Sequence, residues 1–409
     1  MIDKRYLTAQ EAAEALGISM PTLYAYVSRG LIRSEPLDQG KRTKRYRAED
    51  VQKLKNRKEQ RHNPAKVVEG ALHWGVPLLE SALTLIADSQ FYYRGYDAVK
   101  LARTHSVEQV ATLIWTGTLP TDSPALFGPA SGRLPARCQA IRRQLVDLPA
   151  MEAMQTLLPL AAVDDVSAYD FRPAAVAQTG AHLVRMLTAI AAGQETADSG
   201  VAETLQQSWV PHQPPAVQLL KQALILCADH ELNVSSFTAR CVASARATPY
   251  QVVIGGLAAL QGARHGRVTE RVEAFLAEVG SPERAKAVIA GRLKRGETIP
   301  GFGHPLYPAG DPRGRMLLEI CQAAYPDSAV IRLTTAISEA VQAVRGEAAT
   351  LDFGLVTLAR ALQLPPGAPI TLFALGRTIG WIGHAIEQYA LEQIIRPRAR
   401  YTGEPAGVE

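Results

Sequence analysis

Apolar residues recur at helical spacing along most of this chain. From Val67 onward, Leu, Ile, Val, Ala and Met return every third or fourth position, and the strict alternation typical of strands is scarce. The clearest helical segments are residues 78–86, 106–115, 151–162, 173–192 and 215–228. Residues 117–137 and 212–215 are rich in Pro or Gly and predict loops. We therefore expect a predominantly α-helical body, with no repeat of solenoid period.

The first 60 residues, which we call the head, follow a different pattern. Thr8 and Glu11 have the spacing of a capping box, which predicts a short helix that Gly17 ends. Ser19 and Pro21 are suited to the start of a second helix. The head therefore begins with two short helices joined by a tight turn.

The second helix has one apolar stripe and one polar face. Leu23 and Val27 are four residues apart and form the stripe. The outer face is then available for contacts to DNA bases or for positioning, and its candidate residues are Tyr24, Tyr26 and Arg29.

A basic hairpin follows these helices. Residues 31–36 and 41–46 flank a Gly-containing turn, and residues 50–55 return to a helical, basic pattern. Cations concentrate in the second arm, where they are candidate phosphate contacts: Lys41, Arg42, Lys44, Arg45 and Arg47. This order of elements resembles MerR-type and excisionase-type winged helix-turn-helix domains, which implies double-stranded DNA as a partner. A solvated appendage or a protein-binding helical domain is the alternative.

Net charge separates the head from the rest. Residues 1–62 carry 14 Lys and Arg against 8 Asp and Glu, a net charge of +6, whereas residues 63–409 carry a net charge of −1. A basic head on a near-neutral body favours a polyanion partner for the head and different chemistry for the body. The charged residues 61–66 are the expected linker.

Cysteine usage and hydropathy indicate the compartment. The cysteines have no metal-ligand spacing, which favours reduced thiols. The start of the chain has no apolar leader, and no later apolar run reaches about 20 residues. We expect a cytoplasmic protein that has no membrane partner.

Several histidine, aspartate and arginine residues of the body lie beside Gly or Pro. They occur in the segments Asp229-His-Glu-Leu-Asn233, Gly262-Ala-Arg-His-Gly266, Ile299-Pro-Gly-Phe-Gly-His304, Asp311-Pro-Arg313, Leu351-Asp-Phe-Gly354, Gly376-Arg-Thr-Ile-Gly-Trp-Ile-Gly-His384 and Ile394-Ile-Arg-Pro-Arg398. Each segment alone has an ordinary structural explanation. Together and in this order they resemble the citrate synthase family over about residues 67–403.

The resemblance implies an all-α homodimer with shared active sites. A large domain (67–264 and 365–403) and a small domain (265–364) would enclose the active site, and residues 404–409 would form a tail. The family condenses a short acyl-CoA, acetyl-CoA or propionyl-CoA, with oxaloacetate and then hydrolyses the thioester. No permanently bound cofactor is implied, and acyl-CoA is a co-substrate.

The resemblance also assigns roles to individual residues. Asp352 corresponds to the base that removes a proton from the acyl methyl group, and His265 to the histidine that stabilises the enolate. His304 corresponds to the acid that acts on the oxaloacetate carbonyl. Substrate binding falls to His230, Arg313, Arg377 and Arg396, with Arg396 supplied by the partner subunit. Guanidinium groups suit this task because they grip carboxylates in bidentate fashion.

Three segments depart from the family pattern, and one of them is Asp352-Phe-Gly-Leu355, which is slightly shorter than the family's loop. Arg264 and Arg267 flank His265, where they are expected to depress its pKa or bind an acidic group. After His304 the family has basic residues that serve coenzyme A phosphates, whereas this chain has Pro305-Leu-Tyr-Pro308.

Two functions therefore remain open. The first is an acyltransferase of the citrate synthase type with a DNA-binding-like head. The second is a transcription regulator whose body senses oxaloacetate, citrate or an acyl-CoA. Asp352 favours the first, because a sensor needs no proton-abstracting base, and the altered segment after His304 favours the second. A metal site built from the same histidines is a third, less supported alternative, because the His spacing is wrong for it.

Overall fold

The computed structural model describes residues 6–36, 44–48, 50–51, 54, 79–122, 124–128, 132–145 and 147–404. Contacts divide the chain into two units, Met1–Glu80 and Ser81–Glu409, and each is described by itself. The predicted linker, residues 61–66, lies outside the described residues.

The first unit contains the predicted helix pair. Helices α1 (Ala9–Leu16) and α2 (Met20–Ser28) are joined through Gly17, which adopts the left-handed conformation at φ 57°. The capping box at Thr8 and Glu11 is confirmed in both directions. The hydroxyl of Ser19 occupies the cap position of α2 but bonds to the hydroxyl of Thr22 instead of a backbone N–H.

The predicted hairpin is confirmed, and a third strand joins it. Strand β2 (Ser34–Pro36) pairs antiparallel with β3 (Lys44–Arg47), and β1 (Tyr6–Leu7) pairs with the other edge of β3. Residues 48, 50, 51 and 54 are helical, in agreement with the predicted basic helix. Arg33 binds Asp50 through two guanidinium nitrogens and its backbone N–H, all at 2.8–2.9 Å, which ties the hairpin to that helix.

The prediction of a helix over residues 78–86 is wrong for its described part. Strands β4 (Thr84–Ala87), β5 (Gln90–Tyr93) and β6 (Tyr96–Asp97) form an antiparallel sheet there. Asp88 and Ser89 form the two-residue turn between β4 and β5, and both have positive φ, at 51° and 59°. Two consecutive positive φ values match the twist of a tight hairpin, so the turn and the cross-strand pairing override the apolar spacing.

The rest of the second unit is helical, and the other four predicted helical segments are confirmed. The helices are α3 (Ala98–Thr104), α4 (Val107–Thr116), α5 (Ala136–Gln144), α6 (Ala150–Ala162), α7 (Pro173–Ala191), α8 (Val201–Trp209), α9 (Ala216–Cys227), α10 (Val234–Ser244), α11 (Pro249–Leu260), α12 (Val268–Val279), α13 (Ala285–Lys294), α14 (Pro312–Ala324), α15 (Ala329–Arg345), α16 (Leu351–Leu362) and α17 (Ala368–Leu391). Short 3-10 helices lie at Ala125–Phe127, Val166–Tyr169 and Pro282–Arg284.

Two hydrophobic clusters form the core of this unit. The larger one runs from Leu83 to Tyr389, and the smaller one lies between Val272 and Val356, inside the predicted small domain. Helices α14 and α16 contribute to the larger cluster, and α16 also contributes to the smaller. The exact domain limits, 265–364 for the small domain, therefore stay a prediction.

Helix α17 runs through the larger core almost completely buried. Its glycines allow close backbone approach: a Cβ at Gly376 would lie 2.4 Å from the Leu224 carbonyl oxygen, and one at Gly380 2.4 Å from Asp229 Oδ1. This packing places α17 directly against the end of α9, where the chemistry-bearing residues begin.

Candidate active site

His230 follows α9 at a sharp change of chain direction. The next residue, Glu231, has φ 50°, a conformation that L-residues rarely adopt. The His230 ring is buried, with Nε2 2.9 Å from Tyr307 Oη and the ring centroid 5.3 Å from that of His304. Burial and the guanidinium groups of Arg313 and Arg377 hold the pKa of His230 far below its usual value, so the ring is neutral.

His304 lies on a glycine-containing loop that packs against α16. Gly301 and Gly303 both have positive φ, and a Cβ at Gly301 would lie 2.9 Å from Phe353 Cβ. The backbone N–H of Leu306 donates to His304 Nδ1 at 3.2 Å. Burial, with a contribution from Arg313, lowers the pKa of His304 to about 4. In the neutral ring Nδ1 is the acceptor, so the proton resides on Nε2.

His265 contacts a small polar cluster at the start of α10. Its Nε2 lies 2.8 Å from Ser235 Oγ, and the indole N–H of Trp381 donates to the same oxygen at 3.2 Å. Burial, with the charge of Arg377 added, lowers the pKa of His265 to about 3. His265 is therefore also a neutral group.

The low pKa of His265 is not due to Arg264 and Arg267, although the sequence favoured them as its cause. Arg264 is exposed, and Arg267 pairs with Glu152 at 3.6 Å and Glu270 at 3.4 Å. Carboxylates on neighbouring helices take up the Arg267 charge, and the cation that acts on His265 is Arg377, distant in sequence.

Arg313 is fixed in a buried ion pair at the start of α14. Its Nε and Nη2 donate to the two carboxylate oxygens of Asp311, each at 2.9 Å. Asp311 Oδ2 also accepts from the backbone N–H of Leu351 at 3.1 Å, which joins this pair to the first turn of α16. The guanidinium of Arg313 is thereby held in one orientation near Asp352, the residue after Leu351.

Asp352 is the titratable group whose pKa rises towards neutrality in this site. Oδ2 accepts a long hydrogen bond of 3.4 Å from Thr350, and Oδ1 has no hydrogen-bond partner among the described residues. Burial raises the pKa of Asp352 to about 6, against the opposing attraction of Arg313. A carboxylate that binds a proton this readily is suited to act as a general base.

Arg377 projects from the buried centre of α17. Its Nε donates to the Cys227 carbonyl at 2.8 Å, whereas Nη2 is buried with no hydrogen-bond partner in the described part of the chain. An unpaired guanidinium N–H in an enclosed site is suited to bind an anionic ligand, because leaving it unsatisfied is costly.

Six of the seven predicted body residues thus belong to one site. Burial and mutual electrostatic interactions link His230, His265, His304, Arg313, Arg377 and Asp352. Arg396 is separate, because it is exposed in the extended segment after α17.

A cleft of about 570 Å³ opens beside His304. Its walls include Pro305, Pro308 and the end of α15. Among the described lining residues, Arg345 is the only Lys or Arg, and it pairs with Glu347 at 2.5 Å. The cleft is large enough for an extended ligand, and its cation is already neutralised.

The candidate DNA-binding residues of the head differ in how far they are exposed to solvent. Tyr24 is exposed on α2, and Arg29 is exposed directly after that helix. Tyr26 is half-buried and packs against the core of the head, since it lies one turn from Leu23. Lys44 is exposed. Lys41 and Arg42 lie outside the described residues.

Glu35 forms ion pairs with two of the arginines that are candidate phosphate contacts. Register places Glu35 opposite Arg45 and Tyr6 opposite Arg47, so that all four side chains share the outer face of the sheet. Glu35 pairs with Arg45 at 3.2 Å and with Arg47 at 3.4 Å, and it accepts from Tyr6 Oη at 3.1 Å. The charge available on this face is smaller than the sequence indicates.

Sequence reasoning missed several residues that hold this site. Tyr307 and Asp311 lie within segments that the sequence singled out, but no role was assigned to them, and Ser235 carries no signal of its own. Their partners are 77 residues away for Tyr307 and 30 for Ser235. Asp311 alone offered a clue, because it lies two residues before Arg313 in the sequence.

A metal-binding cluster and a membrane-spanning helix were both sought in the described part of the chain. No three His, Cys, Asp or Glu side chains come together there in a way that could hold a metal ion. None of the described helices combines the length and apolar character needed to cross a membrane.

Comparison with known proteins gives the family. Residues 70–398 match the model of the citrate synthase C-terminal domain, and residues 6–59 match a helix-turn-helix domain. The citrate synthase of Mycolicibacterium smegmatis is 30% identical over 333 residues, covering 76% of this chain and 89% of that protein. The 2-methylcitrate synthase of Shewanella oneidensis is 29% identical, covering 83% and 96%.

Solved structures agree with these matches. The crystal structure of citrate synthase from Thermotoga maritima superposes with a TM-score of 0.72 at 26% identity, covering 82% of this chain and 96% of that one. The chain therefore belongs to the citrate synthase family and is an enzyme of that family with an N-terminal helix-turn-helix domain.

Proposed function

We propose that this enzyme condenses a short acyl-CoA, acetyl-CoA or propionyl-CoA, with oxaloacetate to give citrate or methylcitrate and free coenzyme A. The observation that carries the proposal is Asp352, a carboxylate with one oxygen unpartnered among the described residues and a pKa of about 6, which interacts with the buried Arg313. A methyl group next to a thioester needs such a base, and the enolate oxygen needs an uncharged donor.

In the proposed reaction, Asp352 removes a proton from the carbon next to the thioester carbonyl. Ser235 Oγ lies 2.8 Å from both Asn233 Oδ1 and His265 Nε2, and its single proton serves one of them. Because Asn233 Oδ1 already accepts from two backbone N–H groups, we assign the Ser235 proton to His265 Nε2. The proton of His265 then resides on Nδ1, from which it is donated to the developing enolate oxygen.

The enolate carbon attacks the keto carbon of oxaloacetate. His304 Nε2–H donates to the oxygen that becomes the hydroxyl, while His230, Arg313 and Arg377 orient the two carboxylates. Water then cleaves the thioester and releases coenzyme A as the thiol. The cleft beside His304 is the proposed path of the pantetheine arm.

Thiol release tests this proposal directly. Purified enzyme with oxaloacetate and acetyl-CoA or propionyl-CoA should release one thiol per condensation, and the ratio of the two kcat/KM values identifies the preferred donor. Asp352→Asn should lower kcat by about a hundredfold to ten-thousandfold. The absence of turnover with every short acyl-CoA would rule the reaction out.

We further propose a cytoplasmic homodimer in which Arg396 of each subunit completes the site of the other. Arg396 lies on an extended exposed segment, as such an exchange requires. Mixing unfolded Asp352→Asn and Arg396→Ala subunits and refolding them together should restore about a quarter of wild-type turnover, because half the dimers are mixed and each contains one intact site. No recovery would show that both residues act within one subunit.

The second candidate function is a metabolite-responsive DNA-binding protein. It is favoured by the helix-turn-helix match and the net +6 charge of residues 1–62. A mobility-shift assay on promoter-proximal duplex DNA, with and without oxaloacetate, tests it: binding should weaken in the Lys44→Ala variant and respond to the ligand. Binding that survives deletion of residues 1–62 would exclude the head from this role.

A further inference from the structure

Asp229, immediately before His230, is a fully buried carboxylate with partners on two other elements. Thr84 Oγ1, on β4, donates to its Oδ2 at 2.6 Å. His384 Nε2, on α17, lies 3.2 Å from its Oδ1, and both side chains have no solvent exposure. Neither ring nitrogen of His384 has a hydrogen bond of good geometry within the described structure. The close approach of Nε2 to Oδ1 therefore pairs this imidazole with the Asp229 carboxylate.

The sequence of α17 is arranged for this contact. Arg377, Gly380 and His384 follow one another at intervals of three and four residues, so they share one face of the helix. A Cβ at position 380 would lie 2.4 Å from Asp229 Oδ1, so only glycine leaves room for the carboxylate. The same helix face therefore presents Arg377 to the site and His384 to Asp229.

The backbone at Asp229 is held as firmly as its side chain. Its N–H donates to Tyr93 Oη at 3.3 Å, and that hydroxyl donates to the Ile225 carbonyl at 2.9 Å. Two residues later, Glu231 has positive φ. His230 is thus presented by a very short segment, and its ring direction depends on how Asp229 is anchored.

Charge gives Asp229 a second effect. Burial alone would raise its pKa, but His384 and Arg377 outweigh that effect and hold the pKa below its usual value, so the group stays ionised. Its negative charge compensates the buried guanidinium of Arg377, whose Nη2 has no hydrogen-bond partner among the described groups. Removing this charge would leave Arg377 less stable in its position.

We propose that Asp229 and His384 form a buried pair that positions His230 and Arg377 for binding the oxaloacetate carboxylates. This inference rests on the proposed function. Both are assigned as positioning residues, because each acts through a neighbouring residue: Asp229 through His230 and Arg377, and His384 through Asp229. Their loss should weaken oxaloacetate binding more than it slows the chemical step.

The experiment compares His384→Leu with His384→Gln in the full-length enzyme. Leu removes the donor, so the KM for oxaloacetate and its Kd by calorimetry should rise about tenfold or more, with kcat reduced less than about threefold. Gln keeps an N–H donor and should recover most of the affinity. Thr378→Val is the matched control, since Thr378 is equally buried on α17 and its hydroxyl donates to the Ala374 carbonyl within the same helix.

Folding is monitored by thermal denaturation, and Thr84→Val provides a second test in case His384→Leu is insoluble. Thr84→Val removes the hydrogen bond from Thr84 Oγ1 to the Asp229 carboxylate and should raise the Kd for oxaloacetate about threefold or more. Folded variants with unchanged Kd, or losses that His384→Gln fails to recover, would overturn the inference. Wild-type enzyme that neither binds nor consumes oxaloacetate would instead overturn the proposed function.

Discussion

Individual residues in this site are tuned mainly by burial. His265 and His304 lose their basicity because water is excluded and cations lie nearby, whereas burial makes Asp352 more basic. The fall in the histidine pKa values and the rise in the pKa of Asp352 have one cause, since desolvation disfavours the charged form of each group. Neutral donors and a proton-accepting carboxylate therefore coexist at neutral pH.

The pKa of Asp352 predicts the pH dependence of the proposed reaction. A base must be ionised, so kcat/KM should be at its plateau above pH 7 and fall as the pH decreases through about 6. Initial rates of thiol release between pH 5 and 8 measure this. A fall in kcat/KM that is centred near the ordinary pKa of an aspartate would contradict the assignment of the raised pKa to the catalytic base.

The raised pKa of Asp352 also predicts a pH effect on stability: a rise in pH through about 6 increases activity but lowers folding stability. Because the folded-state pKa is raised, folding favours the protonated carboxyl, and this stabilising contribution is lost as the pH rises through about 6. Asp352→Asn should therefore unfold at a higher temperature than wild type at pH 8, while being inactive. Equal melting temperatures at pH 8 would mean that ionised Asp352 carries no desolvation cost.

At the scale of elements, helix α17 depends on its glycines. A Cβ at Gly376 would lie 2.4 Å from the Leu224 carbonyl oxygen and 2.6 Å from Cys227 Cβ. Gly291, in α13, is different: among the described residues, a Cβ there would meet the flexible end of the Arg295 side chain, with Nη1 at 3.5 Å. The two positions form a matched pair for the same substitution.

Gly376→Ala should destabilise the enzyme by about 1–3 kcal/mol, because the rigid backbone of α9 cannot move aside. Gly291→Ala should be neutral or stabilising by up to about 1 kcal/mol, since alanine is the better helix former. Chemical denaturation of both variants measures the difference. Similar stabilities would mean that α17 and α9 pack less closely than described.

The outer face of the head sheet is the second element with a specific charge arrangement. Glu35 neutralises Arg45 and Arg47 there, so Glu35→Gln should free them for DNA phosphates. Binding to a random-sequence duplex should then tighten, and the slope of log K against log salt should steepen by about one to two. Glu14→Gln is the control, because it makes the same change in net charge on α1, and a steeper slope in Glu35→Gln alone supports the assignment.

At the scale of the whole molecule, the two units divide the chemistry. All six residues that form the site belong to Ser81–Glu409, and the candidate DNA contacts belong to Met1–Glu80. Deleting residues 1–62 should therefore leave kcat and KM within about twofold of wild type while abolishing DNA retention. A large loss of turnover in a folded truncated enzyme would show that the head contributes to the site.

The sequence by itself determined the features whose signals are local. The capping box at Thr8, the helix ends at glycine and four of five body helices depend on neighbours within a turn or two, and the ordered His, Arg and Asp motifs identified the family. The strand at Thr84–Ala87 was missed because its partner strand and the positive φ of its turn decide it.

Tertiary structure alone decided the chemical state of the site. Thr84 and Asp229 are 145 residues apart, and Tyr307 and His230 are 77 apart, so their contacts have no local signature. The pKa of Asp352 and the pairing of Glu35 with two arginines likewise arise from burial and approach in space. Residue type fixes which protons and charges are available, but only folding removes the water and brings together the partners that set their energies.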